Sequence, residues 1–167
     1  MLDVRNMQLR LQEYTDCFAE TDPSAGLREI STKGVEGDAT RDFTETALKY
    51  LSLALLSAIE ENATGIRLAS TKEVNGDCFL TGKKEIRLAA PPAGLSREMI
   101  GIVRGITGLE GDQGSSKFSW GIREDRLELT ARVEKSGERE VLDLTLPRPR
   151  GETGKAPPGR RGKSEKR

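Results

Sequence analysis

The chain has 167 residues, enough for one ordinary hydrophobic core, and only seven of them are Phe, Tyr or Trp, so that core must be aliphatic. Charged residues make up 32% of the composition but balance at 27 basic and 27 acidic, so net charge points to no class of partner. Histidine is absent, which removes the commonest general base and metal ligand near neutral pH.

The two cysteines, Cys17 and Cys78, stand far apart, with no neighbouring Cys or His to complete a zinc set. Their spacing gives no support for a disulfide; two reduced thiols of a cytosolic protein are expected. The most apolar run, Leu51 to Ile59, falls short of the ~20 residues of a membrane span. The opening Met1-Leu2-Asp3-Val4-Arg5 lacks the basic-then-apolar order of a signal peptide, so a soluble, cytoplasmic chain is expected.

Met7, Leu11, Tyr14 and Phe18 recur at helical spacing and predict a helix over 2–20. Asp22-Pro23-Ser24-Ala25-Gly26 breaks it, and a short helix is expected at 25–33, ended by Gly34. After a second break at Gly37-Asp38-Ala39-Thr40, with Asp38 or Thr40 as cap, Phe43, Ala47, Leu51, Ala54, Leu55, Ala58 and Ile59 predict a helix over 41–62. Leu48 and Leu53 widen its apolar face, so burial on more than one side is expected.

The period then changes to two. Ile66 and Leu68 alternate with Arg67 and Ala69, Asn75-Gly76 marks a turn, Cys78-Phe79-Leu80 begins a second strand, and Ile86-Arg87-Leu88 a third that Pro91-Pro92 stops. Met99, Ile102, Val103 and Ile106 predict a helix over 96–107, with Ser96 as cap and Gly108 at its end. Gly111-Asp112-Gln113-Gly114-Ser115-Ser116 reads as a polar, flexible loop. Phe118, Trp120 and Ile122 share one strand face, as do Leu127, Leu129, Ala131 and Val133, and Lys135-Ser136-Gly137-Glu138 turns the chain into Leu142, Leu144 and Leu146.

The last twenty residues are rich in Gly, Pro, Lys and Arg and have no aliphatic core former except Ala156, so 148–167 is expected to be a disordered tail. That tail holds eight of the basic residues and two of the acidic ones, leaving residues 1–147 with 19 basic against 25 acidic and a formal charge of −6. The fold class expected is α+β, helices packed on a mostly antiparallel sheet. Three parts are expected: an N-terminal helical extension at 1–40, an α+β domain at 41–147 and the basic tail at 148–167.

Candidate sites are few. Gly108-Leu109-Glu110-Gly111-Asp112-Gln113-Gly114 is glycine-rich, but it follows a helix and precedes a strand, the reverse of a dinucleotide site. The acid pairs Glu60-Glu61 and Glu124-Asp125 read as solvated turn charges. Phe118 and Trp120 mark the inner face of a strand rather than a stacking platform. Arg67 and Arg87 point outward by alternation; surface arginines are the default and an anion-binding sheet face the alternative. Arg148, Arg150, Lys155, Arg160, Arg161 and Lys163 of the tail could grip nucleic acid or an acidic protein surface, although the lack of interleaved aromatics argues against specific single-strand binding. A solubilising or tethering tail weighs equally. No catalytic residue, cofactor or metal is expected.

Several local signals between 47 and 146 come in a shared order. A Leu/Ala-rich helix leads into Ala63-Thr64-Gly65-Ile66-Arg67-Leu68-Ala69, then Thr81-Gly82, then Glu85-Ile86-Arg87-Leu88-Ala89-Ala90-Pro91-Pro92. Met99-Ile100-Gly101-Ile102-Val103-Arg104-Gly105-Ile106-Thr107-Gly108-Leu109 follows, and later Gly137-Glu138-Arg139-Glu140-Val141-Leu142-Asp143-Leu144. This order resembles the small PAS-like domain that precedes the motor in type II secretion and type IV pilus-assembly ATPases, over about 100 residues. The resemblance implies a PAS-like fold for 41–147 and a role in protein–protein contact, since the family's domain packs against a neighbouring subunit's motor. The outer sheet face and the 41–62 helix would be the contact surfaces, and a secretion or pilus component the partner.

The departures bear on chemistry. The family's Asp, His and Glu in the junction are Gly65, Arg67 and Ala69 here, and its basic, nucleotide-bridging strand is Cys78-Phe79-Leu80. No Gly-x-x-x-x-Gly-Lys-Ser/Thr phosphate loop occurs, and the His-rich and acidic motor motifs are missing, so ATP hydrolysis is not expected. The resemblance therefore implies a stand-alone, degenerate, non-catalytic copy.

Overall fold

The computed structural model describes residues 4–33, 39–71, 76–92, 94–122 and 125–147. The expectations placed on Gly34, Gly37, Asp38, Asn75, Glu124 and the tail residues Arg148, Arg150, Lys155, Arg160, Arg161 and Lys163 lie outside them. Three helices, α1 (Val4–Phe18), α2 (Pro23–Lys33) and α3 (Ala39–Glu60), lead into strands β1 (Gly65–Ser70), β2 (Asp77–Thr81) and the short β3 (Ile86–Arg87). Helix α4 (Leu95–Thr107) follows, then β4 (Gln113–Ile122), β5 (Asp125–Ser136) and β6 (Arg139–Thr145). The strands form one antiparallel sheet in the order β3-β2-β1-β6-β5-β4, an α+β arrangement with the first and last strands paired at its centre.

Helix α3 is the hub. Ala47, Leu48 and every residue from Tyr50 to Ala58 are buried, so it is enclosed as the width of its apolar face predicts. It packs against α1, α2, α4 and β1, while α4 lies across β1, β4, β5 and β6. That enclosure leaves the stretch from Tyr50 to Ala58 no free face to offer as a contact surface, while Glu60, Glu61 and Asn62 at the end of the expected 41–62 helix are exposed.

On the sheet, Ile66, Leu68, Cys78, Leu80, Phe118, Trp120, Leu129, Ala131, Val133, Leu142 and Leu144 are buried toward the helices, as period-two alternation demands. Leu11 of α1 and Leu27 of α2 belong to the same core cluster.

Helix ends are set by local chemistry. At the end of α3, Asn62 adopts the left-handed conformation (φ 58°), the Ala63 N–H donates to Ala58 O at 2.9 Å and the Asn62 N–H to Ile59 O at 3.2 Å. This paired closure satisfies carbonyls the helix would otherwise leave open. Gly108, at φ 77°, ends α4 as expected, its N–H donating to Arg104 O at 2.8 Å.

Three expectations need correction. Helix α4 is not capped by Ser96, which is buried inside it. The N-cap is Gly94, at φ 83°, a left-handed geometry in which a serine would be strained, and no side chain caps the helix there. Residues 113–116 are not a loop but the start of β4, because Gln113 to Ser116 pair in register with Glu134 to Ala131. Pairing with β5 overrides the weak strand preference of Gly and Ser. Thr40 likewise lies within α3, which begins at Ala39.

Helix α1 is tied to the sheet by one buried polar contact. The indole N–H of Trp120 donates to Thr15 Oγ1 at 2.9 Å, and that hydroxyl donates in turn to Leu11 O at 2.9 Å. Thr15→Val keeps the shape and leaves the buried indole N–H unpaired, so it should lower the unfolding free energy by about 1–3 kcal/mol. Urea denaturation followed by the fluorescence of Trp120, the sole tryptophan, measures this directly; an unchanged midpoint would show that the contact contributes nothing.

Candidate interaction surface

Alternation along β1 and β2 leaves Arg67 and Phe79 on the face opposite the helices, and antiparallel register aligns them with residues far away in sequence. Straight across mid-sheet, consecutive partners are Arg87, Phe79, Arg67, Asp143, Arg132 and Ser115. The flanking rows are Asp77, Ala69, Val141, Glu134 and Gln113 on one side, and Thr81, Gly65, Thr145, Thr130 and Lys117 on the other. Among the described residues no helix packs on this face.

Sequence reasoning placed Arg67 and Arg87 outward, and the structure puts both in one row of this face. Neither is a bare cation. Arg67 grips Asp143 with two hydrogen bonds, Nε–Oδ1 at 2.7 Å and Nη2–Oδ2 at 3.1 Å. That carboxylate pushes the guanidinium pKa further up, first through the hydrogen bonds and then through its charge. Arg87 donates to Asp77 Oδ1 at 2.9 Å and holds its guanidinium 5.1 Å from the centre of the Phe79 ring. With both charges partnered, the geometry favours a mixed, hydrogen-bonding surface over an anion trap. Arg132, in the same row, forms no ion pair among the described residues.

Gly65 shows why one departure from the secretion-ATPase pattern is fixed in the packing. A Cβ at this position would stand 2.6 Å from Leu144 O and 3.0 Å from Thr81 Oγ1, so the Asp that the pattern carries has no room between β2 and β6. At Ala69 the side chain is buried against Asp77 and Val141 in its row.

The Arg10 guanidinium and the Tyr14 hydroxyl both donate to Glu45 Oε1, joining α1 to α3. Arg10 is raised first by its bond to Glu45, and Tyr14 first by burial. This cluster lies on the helical side and fastens α1 to α3. A shallow cleft of about 380 Å³ beside α4 is lined by Arg97, Gly101, Arg104, Gly111, Asp112, Lys135 and Glu140. Two of its charged groups are spent on each other, Arg104 Nε donating to Glu140 Oε2 at 2.8 Å with both side chains largely buried. Among the described residues no group of three His, Cys, Asp or Glu is placed to hold a metal ion, and no helix is long and apolar enough to cross a membrane. Glu60 and Glu61 are exposed, and Phe118 and Trp120 are inner-face core residues.

Sequence reasoning missed the carboxylate partners of both arginines, the ring beneath Arg87 and the Glu45 cluster. The outward alternation was a usable signal. The cross-sheet register was not.

Both cysteines are free, Cys17 exposed on α1 and Cys78 buried on β2. Burial pushes the Cys78 thiol up to about 12, against a smaller opposing effect of the Tyr50 hydroxyl. Reaction with a chromogenic disulfide reagent should therefore titrate one thiol in the native protein and two in denaturant; two reactive thiols under native conditions would contradict the burial of Cys78.

No protein-family model matches the chain, and no curated protein matches it.

Proposed function

We propose that the chain is a non-catalytic docking or assembly module of the cytoplasm, a degenerate relative of the PAS-like N-terminal domain of secretion and pilus-assembly ATPases. It would engage a protein partner through the outer face of its sheet. The observation that carries this reading is the lopsided burial: four helices crowd one face of a six-stranded sheet and, among the described residues, none covers the other. That bare face is broad and carries an arginine-capped aromatic ring, a composition common at protein–protein contacts.

The kinship is supported by the succession of elements. An apolar helix with a tight end at Asn62 is followed by β1, by β2 and β3 before Pro91-Pro92, by a helix ending at Gly108-Leu109, and by three antiparallel strands. This is the order on which the resemblance rests. The replaced junction residues and the missing phosphate loop support a scaffold role without hydrolysis.

The test is recovery of a partner on immobilised protein from an extract containing type II secretion or pilus-assembly components. Wild type should retain such a component, and Phe79→Ala combined with Arg132→Glu should weaken retention more than about tenfold, while Arg97→Glu beside α4 should not. Recovery of unrelated proteins alone, or full retention by the outer-face variant, would overturn the proposal.

A further inference from the structure

The two edges of the sheet are managed differently. Strand β3 is only two residues long, whereas β4 runs ten residues with β5 on one side only. Helix α1 covers part of that long edge with amide side chains that imitate a neighbouring strand. Gln12 accepts from the Gly121 N–H at 2.9 Å and donates to Gly121 O at 2.8 Å, and Gln8 donates to Ser119 O at 3.1 Å.

These bonds show which residues aim their backbone away from β5. Alternation puts the outward groups at Gly121 and Ser119, and hence at Lys117, Ser115 and Gln113. The Lys135 N–H bond to Asp112 O at 2.7 Å agrees, since it places an even-numbered residue on the β5 side. No described residue hydrogen-bonds the outward groups of Gln113, Ser115 and Lys117, and all three residues are exposed.

We propose that this open stretch pairs with the same stretch of a second copy, antiparallel and centred on Ser115, joining the two sheets edge to edge. The midpoint of the open segment Gln113–Lys117 is Ser115 itself, so a two-fold axis there uses the outward groups of Gln113, Ser115 and Lys117 and leaves only the Ser119 N–H, beside the Gln8 bond, outside the pairing. Gln113 faces Lys117 of the other copy, Ser115 faces Ser115, and Lys117 faces Gln113, all as hydrogen-bonded pairs, for about six new backbone bonds.

Charge favours self-pairing over an unrelated strand. Lys117 and Glu134 form no ion pair among the described residues. In this register the Lys117 of each copy lies beside Gln113 of the other, whose neighbour on β5 is Glu134. The small centre, Gly114, Ser115 and Ser116, presents no bulky or charged group to its symmetry mate. A register shifted to centre on Lys117 would set two lysines against each other and run into the Gln8 and Gln12 clamp. The clamp thus acts as a stop at one end of the pairing, and the inference stands apart from the identity of any docking partner.

Five paired residues make a small interface, so the dissociation constant should be on the order of 100 µM. Sedimentation of the full chain should show a mass rising from monomer toward dimer between about 10 µM and 1 mM. Ser115→Pro removes an N–H that points away from β5, so the hairpin should survive with native Trp120 fluorescence while dimerisation is lost. Lys117→Glu should weaken dimerisation about tenfold, and Lys117→Glu with Glu134→Lys should restore it to within about threefold of wild type. A constant monomer up to about 1 mM, a dimer undiminished in Ser115→Pro, or a charge swap that restores nothing would each overturn the proposal. So would an extended foreign peptide that seats on β4 while the chain itself stays monomeric.

Discussion

Helix α3 is apolar on so many sides that its burial dictates where the other elements go. From Tyr50 to Ala58 every residue is buried, and Leu48, Tyr50, Leu51 and Leu55 have no measurable exposure. One face of one sheet cannot enclose such a helix. Helices α1 and α2 close it from one side, α4 and β1 from another, and all four helices therefore accumulate on the same side of the sheet. The polar atoms drawn in with α3 find local partners where they can. The Tyr50 hydroxyl donates to Ala89 O, and Ser52 Oγ donates to Lys49 O at 2.9 Å. Burial raises the Tyr50 hydroxyl pKa far above its ordinary value, so it serves here as a neutral donor anchoring the chain just before Pro91-Pro92.

A sheet covered on one side only must make its other side compatible with water, and antiparallel strands do this by alternation. The outer rows here go further and pair opposite charges across strands, Arg67 with Asp143 and Arg87 with Asp77. Such exposed pairs contribute little to stability; at 54% exposure for Arg67 and 33% for Asp143, a few tenths of a kcal/mol to about 1 kcal/mol is the expected scale. Their effect is on specificity. The Arg67–Asp143 pair ties β1 to β6 and the Arg87–Asp77 pair ties β3 to β2 from the solvent side, and both leave the face hydrogen-bonding yet nearly neutral, suited to a mixed protein surface more than to a polyanion. The edges follow the same economy: β3 is too short to recruit another strand, and the amides of Gln8 and Gln12 occupy the exposed backbone at one end of β4.

What could be read from the sequence was whatever repeats along the chain. The alternation of Phe118, Trp120 and Ile122, the stripe of Met99, Ile102 and Val103, and the stop at Gly108 all depend on neighbours within one or two turns, and the structure keeps them. Features that depend on distant partners were not legible. Asp143 meets Arg67 across 76 positions, and Gln12 meets Gly121 across 109, so no local pattern marks either. The polar run at Gln113–Ser116 is a strand only because β5 presents Ala131 to Glu134 in register. The start of α4 departs from the expected Ser96 cap for a related reason. Ser96 has the composition of a cap, but burial claims its side chain, and the left-handed Gly94 takes the boundary position. The candidate surface was half visible: its arginines could be seen to face outward, but not what they hold.

The junction between α3 and β1 bears most directly on the proposed ancestry. Its backbone is held on both sides, with the Thr64 N–H donating to Thr81 O at 2.8 Å and Thr64 O accepting from the Leu146 N–H at 2.9 Å. Gly65 then sits where β1 enters between β2 and β6, and the closeness of Leu144 O excludes any side chain. On the proposed kinship, an acid at this position would need β6 to stand further from β1 than it does here, and Gly65→Asp would meet the Leu144 carbonyl. The first outward side chain after the junction is Arg67, and it is already bound to Asp143 on β6.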